Sequence, residues 1–268
     1  MKSWALLSCA ALIPAVAILT TPAQAKVVGR TVTYSAGGVA LKGYLAYDDA
    51  TKEVHPGILV VHEWWGLNAY ARKRARMLAG LGYTALAVDM YGNGKLANHP
   101  DDAGKFSAEV MKNFPAAQAR FAAAESLLKA QPTVDPQRIG AIGYCFGGGV
   151  VLNMARQGAD LKGVATFHGS LAAVNTAQPG AVKAKLMIFT GADDKFVPLD
   201  AVESFRKEMT DAKADFQIVT YPGAGHSFSN PDATELGQKW KLPLAYNKDA
   251  DEKSWAAMKE FFAALFKS

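Results

Sequence analysis

The sequence predicts an α/β fold built on a mainly parallel, doubly wound sheet, with helices on both faces and an antiparallel hairpin at its N-terminal edge. From residue 57 onward, short apolar runs the length of buried strands alternate with amphipathic stretches the length of helices. Such alternation is typical of parallel sheets, because each parallel connection must cross over the sheet. Before residue 57, two alternating segments flank Gly37-Gly38 and predict the hairpin.

Each predicted strand is a run of β-branched and aliphatic residues that ends at a turn signal. The predicted strands are 27–34, 39–47, 57–62, 83–88, 138–143, 163–167, 185–190 and 216–221. The helices begin at capping residues such as Asn68, or after turns that contain glycine or proline. They are predicted at 68–80, 101–113, 115–130, 146–156, 200–210 and 251–266. Residues 230–250 are predicted to be irregular.

Length and charge limit the class of protein. The 268 residues are half apolar, which is enough for one large core, and we expect residues 26–268 to form one domain. The net charge is +5, but the basic residues are scattered along the chain. The one cluster, Arg72-Lys73-Arg74 with Arg76, is typical of a solvated helix face, so no nucleic-acid partner is predicted.

Neither a cofactor nor a metal is predicted. The segment Gly147-Gly148-Gly149 follows a strand but lacks the spaced glycines of a dinucleotide-binding fingerprint, and no phosphate loop fits. His62-Glu63 begins like a zinc-protease motif, yet Gly66 stands where the second histidine would be needed.

The first 25 residues are typical of a secretory signal peptide. Lys2 supplies the positive start, residues 4–19 are apolar, and Ala23-Gln24-Ala25 is a cleavage site of the usual kind. The apolar run is short for a membrane span and contains Pro14, so we expect no stable membrane insertion after cleavage. The mature protein is expected to begin at Lys26 and to be secreted into the periplasm.

Cys145 is the predicted nucleophile. It lies in Gly143-x-Cys145-x-Gly147 between an apolar strand and a helix, which is the pattern of a nucleophile elbow with cysteine in place of serine. The glycines allow strand and helix to pass closely, and the helix N-terminus favours a thiolate. Loss of Cys9 with the signal peptide would leave one unpaired thiol, a liability in an oxidising compartment unless it is used. The alternative interpretation is a buried core cysteine.

Other chemically capable residues also follow predicted strands. They are Glu63, Asp89, Asp194 and His226. Because sites in open α/β sheets form beyond the carboxyl ends of the strands, we expect these residues to lie along one edge together with Cys145. The order of cysteine, aspartate and histidine along the chain is that of the triads in α/β-hydrolases.

Three segments, around the cysteine, the aspartate and the histidine, carry a family resemblance. They are Gly143-Tyr144-Cys145-Phe146-Gly147-Gly148, Gly191-x-x-Asp194-x-Phe196-Val197-Pro198 and Gly225-His226-Ser227-Phe228. Together they resemble the signature segments of the dienelactone hydrolase (carboxymethylenebutenolidase) family, and the resemblance runs from about residue 30 to residue 265. It implies the α/β-hydrolase fold and the activity of a carboxylic ester hydrolase.

The resemblance implies a role for each of these residues. Cys145 would form an acyl-enzyme, His226 would act as general base, and Asp194 would orient the histidine. Asp193 is the alternative carboxylate, although the spacing within its segment favours Asp194. Glu63 stands at the family's glutamate position, where it is expected to contact the cysteine and to take part in activating the thiol. A solvent-facing loop glutamate is the alternative there.

The backbone N–H groups of Trp64 and Phe146 are expected to form the oxyanion hole. Trp64 follows the strand that normally supplies the second N–H in this fold, while Phe146 follows the nucleophile. The alternative for Trp64 is that it only forms a pocket wall with Trp65.

The predicted substrate depends on two departures from the family's pattern. Members that cleave dienelactone hold its carboxylate with two arginines, and Asn93 and Asn230 stand at those positions here. Asparagine lacks both the charge and the bidentate geometry of arginine. We therefore predict a small neutral ester or lactone, bound by Tyr91, Trp65 and the two asparagines.

Two alternatives to this function stay open. The same triad would serve a thioesterase, a peptidase-like activity or acyl transfer, and an inactive homologue would only bind a ligand. No oligomeric state is predicted. Whether residues 91–114 act as a lid or form a fixed loop is not predicted.

Overall fold

The computed structural model of the chain describes Met1 and residues 26–50 and 53–267. The predicted signal peptide beyond Met1 lies outside the described residues. Eight strands form one sheet in the described part of the chain. They are β1 (Val27–Ala36), β2 (Val39–Asp48), β3 (His55–Val61), β4 (Thr84–Val88), β5 (Val134–Tyr144), β6 (Gly163–Phe167), β7 (Lys185–Gly191) and β8 (Phe216–Tyr221).

The order of the strands places the carboxyl ends of β3 and β5 side by side. The order across the sheet is β1-β2-β4-β3-β5-β6-β7-β8. Strands β1 and β2 form the predicted antiparallel edge, and β3 to β8 are parallel. The chain leaves β3 toward β4 and later returns to β5 on the opposite side, which makes β3 and β5 flank the topological switch point. This architecture confirms the predicted fold class.

Seven helices are found among the described residues. They are α1 (Ala69–Ala79), α2 (Pro100–Lys112), α3 (Phe114–Lys129), α4 (Phe146–Arg156), α5 (Leu199–Asp211), α6 (Ala233–Trp240) and α7 (Lys248–Leu265). The side chain of Asn68 caps α1 as predicted, by accepting hydrogen bonds from the N–H groups of Tyr70 and Ala71. No helix in the described ranges is long and apolar enough to cross a membrane.

Helix α6 corrects the prediction that residues 230–250 are irregular. It is only eight residues long, and no side chain caps its N-terminus, so local signals for it are weak. Its apolar residues pack instead into a small cluster with Trp65 and Leu244, which the local sequence does not reveal. Helix α7 also begins earlier than the predicted residue 251, because Asn247 accepts a hydrogen bond from the N–H of Ala250.

The core has two layers because the central strands are buried on both faces. In β3, Leu59 and Val61 face α3, α4 and α5, whereas Ile58 and Val60 face α1 and α7. Successive side chains of a strand point to opposite faces, which explains why such strands read as continuous apolar runs. The two layers hold the carboxyl edge of the sheet rigidly between helices.

The first turn of α4 passes very close to β3. A Cβ atom on Gly147 would overlap the carbonyl oxygen of Val61, and one on Gly143 would overlap the carbonyl oxygen of Gly147. A Cβ on Gly148 would come within 2.5 Å of the Cα of Gly169. The glycines of the elbow are therefore required by the distance between backbones, as the sequence pattern predicts.

Replacing Gly147 tests this close approach. We expect Gly147→Ala to lower the free energy of unfolding by about 1–3 kcal/mol, the cost of overpacking a site whose neighbours are backbone atoms. The matched control is Gly104→Ala in α2, where an added Cβ would meet no atom within 4 Å. It should stabilise the protein by roughly 0.5–1 kcal/mol through helix propensity. Urea unfolding measures both changes, and equal stability of the two variants would contradict the packing argument.

Candidate active site

Cys145 lies on a strained turn between β5 and α4. Its backbone has φ 51° and ψ −116°, a region that non-glycine residues rarely occupy. Three backbone hydrogen bonds stabilise the turn. The N–H of Cys145 donates to the carbonyl oxygen of Phe167, and the carbonyl oxygen of Cys145 accepts from the N–H groups of Gly149 and Ser170. The strain lifts a partly buried free thiol above the N-terminus of α4, as expected of a nucleophile elbow.

His226 and Asp194 come from the turns after β8 and β7. Nε2 of His226 lies 3.1 Å from Sγ of Cys145, and its Nδ1 lies 2.9 Å from Oδ2 of Asp194. Because a carboxylate only accepts, Nδ1 donates to Asp194 and Nε2 faces the sulfur. The other oxygen of Asp194 accepts from the N–H groups of Phe196 and Val197. The structure thus brings the three predicted triad residues together.

Asp194, and not its neighbour Asp193, is the partner of the histidine. Asp194 is buried, whereas the side chain of Asp193 is exposed to solvent. The carboxylate that the spacing favours is therefore the one that lies beside the imidazole.

The charge of His226 is set by opposing effects. Burial lowers the pKa of its imidazole, but the neighbouring sulfur of Cys145 and the hydrogen bond to Asp194 outweigh burial and raise the pKa to about 10. These neighbours therefore favour the charged imidazolium over the neutral ring.

The loop that carries His226 is anchored from behind by buried polar groups. The hydroxyl of Ser229 lies 2.8 Å from both Oη of Tyr70 and Nε2 of His168. The guanidinium of Arg74 donates to the carbonyl oxygen of Ser229 and pairs with Asp251 of α7. These bonds tie α1, α7 and the histidine loop into one unit.

His168 received no role from the sequence, yet it packs against the ring of His226 with centroids 5.3 Å apart. It is fully buried, and burial lowers its pKa, as do the positive charges of His226 and Arg74. It therefore stays neutral and adds no second positive charge beside the triad. Its distance from His226 in the chain left no sequence signal for this packing.

The two expected oxyanion-hole donors lie beside the thiol. Phe146 is the first residue of α4, where helical N–H groups have no intrahelical acceptor. Trp64 lies in the turn after β3, and Oη of Tyr91 donates to its carbonyl oxygen at 2.7 Å. In the described part of the chain, neither the N–H of Trp64 nor that of Phe146 has a hydrogen-bond acceptor. Both groups are free to receive a ligand.

Glu63 is buried but is held by residues other than the cysteine. Its carboxylate accepts from Oγ of Ser227 at 3.0 Å and from Nδ2 of Asn230 at 2.6 Å. Burial raises the pKa of Glu63, and these two hydrogen bonds offset part of the rise. Among the described residues no hydrogen bond joins Glu63 to Cys145. The expected contact with the thiol is therefore not made in this conformation, nor does Glu63 face solvent.

A cavity of about 330 Å³ opens onto the thiol. Its lining residues are Trp64, Ser107, Ala108, Met111, Cys145, Phe146, Gly149, Ser170, Phe196, Val197, His226 and Leu244. None of these is a lysine, arginine, aspartate or glutamate, so the wall away from the triad is apolar or weakly polar. Helix α2 supplies three of the lining residues, so the 91–114 segment forms one wall of the site.

The four predicted substrate-binding residues do not line this cavity. Asn230 is buried with its amide bound to Glu63, and Asn93 is exposed in a turn with φ 55°. Tyr91 and Trp65 are buried, where Tyr91 supports the carbonyl of Trp64 and Trp65 packs near α6. Matching the positions of the family's pattern did not locate the residues that line the cavity, because the packing of α2 and of the loops leaves no signal in the three signature segments.

Asp89 also ends a strand but belongs to a turn. Its carboxylate accepts from four backbone N–H groups, those of Lys42, Tyr91, Gly92 and Gly94. These bonds stabilise the turn after β4, and Asp89 does not line the cavity.

Comparison with known proteins assigns the family. The model of the dienelactone hydrolase family matches residues 41–266. The chain belongs to the dienelactone hydrolase family. The predicted family and the predicted class of enzyme, a carboxylic ester hydrolase, are confirmed.

Relatives and solved structures are similar to this chain over nearly their whole length. Protein usf of Aquifex pyrophilus is 29% identical over 231 residues, which cover 82% of this chain and 98% of that protein. The structure of m3DLH is 35% identical with a TM-score of 0.84, and that of a dienelactone hydrolase-like promiscuous phosphotriesterase from metagenomic libraries is 32% identical with a TM-score of 0.81. Each match covers 89% of this chain and 98% of the other.

The charge on His226 can be measured directly. The pKa of about 10 lies above the ordinary 6.5, so the imidazole should stay protonated from neutral pH into the alkaline range. Cys145→Ala removes the neighbour that raises this pKa and should therefore lower the pKa of His226. NMR titration of the ring measures both proteins. Asp193→Asn is the matched control, because its exposed side chain should leave the titration unchanged. An equal pKa in Cys145→Ala and the wild type would contradict the ion pair.

Proposed function

We propose that this dienelactone hydrolase family member hydrolyses small neutral esters or lactones through a thioester on Cys145. The observation that carries the proposal is the continuous contact from Sγ of Cys145 to Nε2 of His226 at 3.1 Å, and from Nδ1 of His226 to Oδ2 of Asp194 at 2.9 Å. A nucleophile, a base and an orienting carboxylate within mutual hydrogen-bond reach are what nucleophilic catalysis requires.

In the first half of the reaction, the sulfur of Cys145 attacks the carbonyl carbon, and the π electrons move to the carbonyl oxygen. The N–H groups of Trp64 and Phe146 bind that oxyanion. As the bond to the alcohol oxygen breaks, Nε2–H of His226 protonates the departing oxygen. A thioester on Cys145 and a neutral His226 remain.

In the second half, a water molecule takes the place of the alcohol. His226 accepts a proton from this water as its oxygen attacks the thioester carbon, and the oxyanion forms again. The C–S bond then breaks, which releases the acid and restores the thiolate beside the imidazolium. Asp194 balances the positive imidazole in both halves.

The cavity supports a neutral substrate. Its walls include no charged side chain apart from the catalytic histidine. A substrate carboxylate bound there would lose its hydration without gaining a cationic partner other than His226, which already pairs with Asp194, and such a loss is costly. Its volume of about 330 Å³ matches the lower end of ordinary small-molecule pockets. Aryl acetates and small uncharged lactones fit both conditions.

A neutral phosphotriester is a second candidate substrate. One solved structure that is 32% identical to this chain is described as a promiscuous phosphotriesterase. Phosphotriesters are uncharged, so the same cavity would accept them. The sulfur of Cys145 would then attack phosphorus in place of carbon, the bond from phosphorus to one ester oxygen would break, and Nε2–H of His226 would protonate the departing oxygen.

The substrate comparison tests the main proposal. We expect kcat/KM for 4-nitrophenyl acetate to exceed that for cis-dienelactone, because only the second carries a carboxylate. Cys145→Ala should abolish turnover, and His226→Ala should lower the rate by about 10² or more, the range for general acid–base catalysis. A thioester on Cys145 should be trapped by mass spectrometry of acid-quenched enzyme. A preference for dienelactone would overturn the substrate class, and activity in Cys145→Ala would overturn the mechanism.

Labelling of the thiol separates a catalyst from an inactive binding homologue. In a working triad, iodoacetamide should alkylate Cys145 rapidly, and His226→Ala should slow the reaction because the thiolate loses its partner. Slow labelling that is indifferent to His226 would favour the binding protein.

A positive charge placed in the cavity should redirect the specificity. Met111 lines the cavity from α2. We expect Met111→Lys to raise the ratio of kcat/KM for mono-4-nitrophenyl succinate to that for 4-nitrophenyl acetate by about tenfold, the effect of one charged hydrogen bond. Met111→Gln, of similar length but neutral, is the matched control and should leave the ratio unchanged. An unchanged ratio in Met111→Lys would show that the acyl group binds elsewhere.

We also propose that the protein acts after export. The support is the sequence of the first 25 residues, with its positive start, apolar run and cleavage site. The single free thiol of the mature chain would then be Cys145, committed to catalysis.

A further inference from the structure

We infer that His62 is a positioning residue of the oxyanion hole, whose imidazole fixes the Glu63–Trp64 peptide so that the N–H of Trp64 faces the reacting carbonyl. The inference rests on the proposed function, which assigns that N–H to the oxyanion hole. His62 directly follows β3 and is 1% exposed. Its imidazole has no hydrogen bond to Cys145, Asp194 or His226 and does not line the cavity, so we expect its effect to pass through the peptide.

The evidence begins with the carbonyl oxygen of Glu63. Nδ1 of His62 lies 2.6 Å from this oxygen, and the N–H of Gly66 donates to it at 3.2 Å. The C=O of Glu63 and the N–H of Trp64 belong to one planar trans peptide, in which they point in opposite directions. Holding the carbonyl toward His62 and Gly66 therefore directs the N–H of Trp64 away from them.

The hydrogen bonds of His62 require one tautomer. The carbonyl oxygen of Glu63 can only accept, so Nδ1 carries the proton. The backbone N–H of Met90 lies 3.3 Å from Nε2 and can only donate, so Nε2 is unprotonated. The neutral ring satisfies both partners at once. Burial favours this state, because it lowers the pKa of His62.

The ring of His62 is also held between the elements of the site. It lies edge-on to Tyr91 at 4.8 Å and stacks on Phe146 at 5.8 Å, measured between ring centroids. Phe146 supplies the second expected donor. Tyr91 binds the carbonyl oxygen of Trp64, so the two peptides that flank Trp64 are each fixed by one side chain.

The bond to His62 also strengthens the donor. A carbonyl that accepts a strong hydrogen bond polarises its peptide, which makes the N–H on the other side a better donor. The position and the polarity of the Trp64 N–H therefore both stabilise the transition state, in which the oxyanion exists. They have little effect on the ground state.

The test compares two variants in two reactions. We expect His62→Leu, which has no donor, to lower kcat for 4-nitrophenyl acetate about 10- to 100-fold with little change in KM, below the 10²–10³ cost of removing a donor outright. His62→Asn should recover most of kcat, because its amide nitrogen lies near the position of Nδ1. Alkylation of Cys145 by iodoacetamide should be unchanged in both, since displacement at a saturated carbon forms no oxyanion.

Three results would overturn the inference. If kcat and the alkylation rate fall together in His62→Leu, the residue supports the triad or the fold. If kcat is unchanged while Cys145→Ala is inactive, the proposed function stands and His62 has no part in it. If Cys145→Ala stays active, the proposed function fails and takes this inference with it. Should His62→Leu not fold, His62→Gln replaces it, because its amide lies near Nε2 instead of Nδ1. Equal rates of His62→Gln and His62→Asn would then count against the inference.

Discussion

The site depends on the close approach of α4 to β3. Where Gly147 meets the carbonyl of Val61, no side chain can separate the two backbones. That contact brings the first N–H of α4 beside the turn after β3, which carries Trp64. It also leaves Cys145 in a conformation with positive φ, which only surrounding packing can maintain. The thiol of Cys145 and the N–H groups of Trp64 and Phe146 converge because two backbones touch.

Buried polar groups hold the other half of the site. The loop after β8 carries His226, and its following residues are bound by Glu63, His168, Tyr70 and Arg74. Each of these groups is away from water, so an unmet hydrogen bond would be costly. Such a network has few alternative arrangements, which keeps the imidazole aligned with the sulfur. The Glu63 carboxylate therefore contributes to the loop in the conformation described, whatever part it takes during turnover.

The fold and the convergence of Cys145, Asp194 and His226 could be predicted from the sequence because their signals are local. Buried parallel strands read as apolar runs, and the glycines around Cys145 follow from backbone contact within one turn. The walls of the cavity could not be predicted in this way. Met111 and Leu244 reach the thiol through the packing of α2 and of the segment after α6, and Asn230 turns inward to Glu63. In the sequence, His62 stands out only through its likeness to the start of a zinc-protease motif. Its partners in the structure are backbone atoms, which no sequence motif records.

The contribution of α2 to the cavity has a consequence for how such proteins diversify. The chemistry resides on the ends of sheet strands, where the core tolerates few changes. The wall of the cavity that α2 contributes lies on a helix with two buried residues, Ala103 and Val110. Substitutions on the exposed positions of this helix should change the free energy of unfolding little and leave the thiol of Cys145 in place. Substitutions that accumulate in α2 can thus change the substrate specificity of such a hydrolase, while the reacting atoms keep their positions.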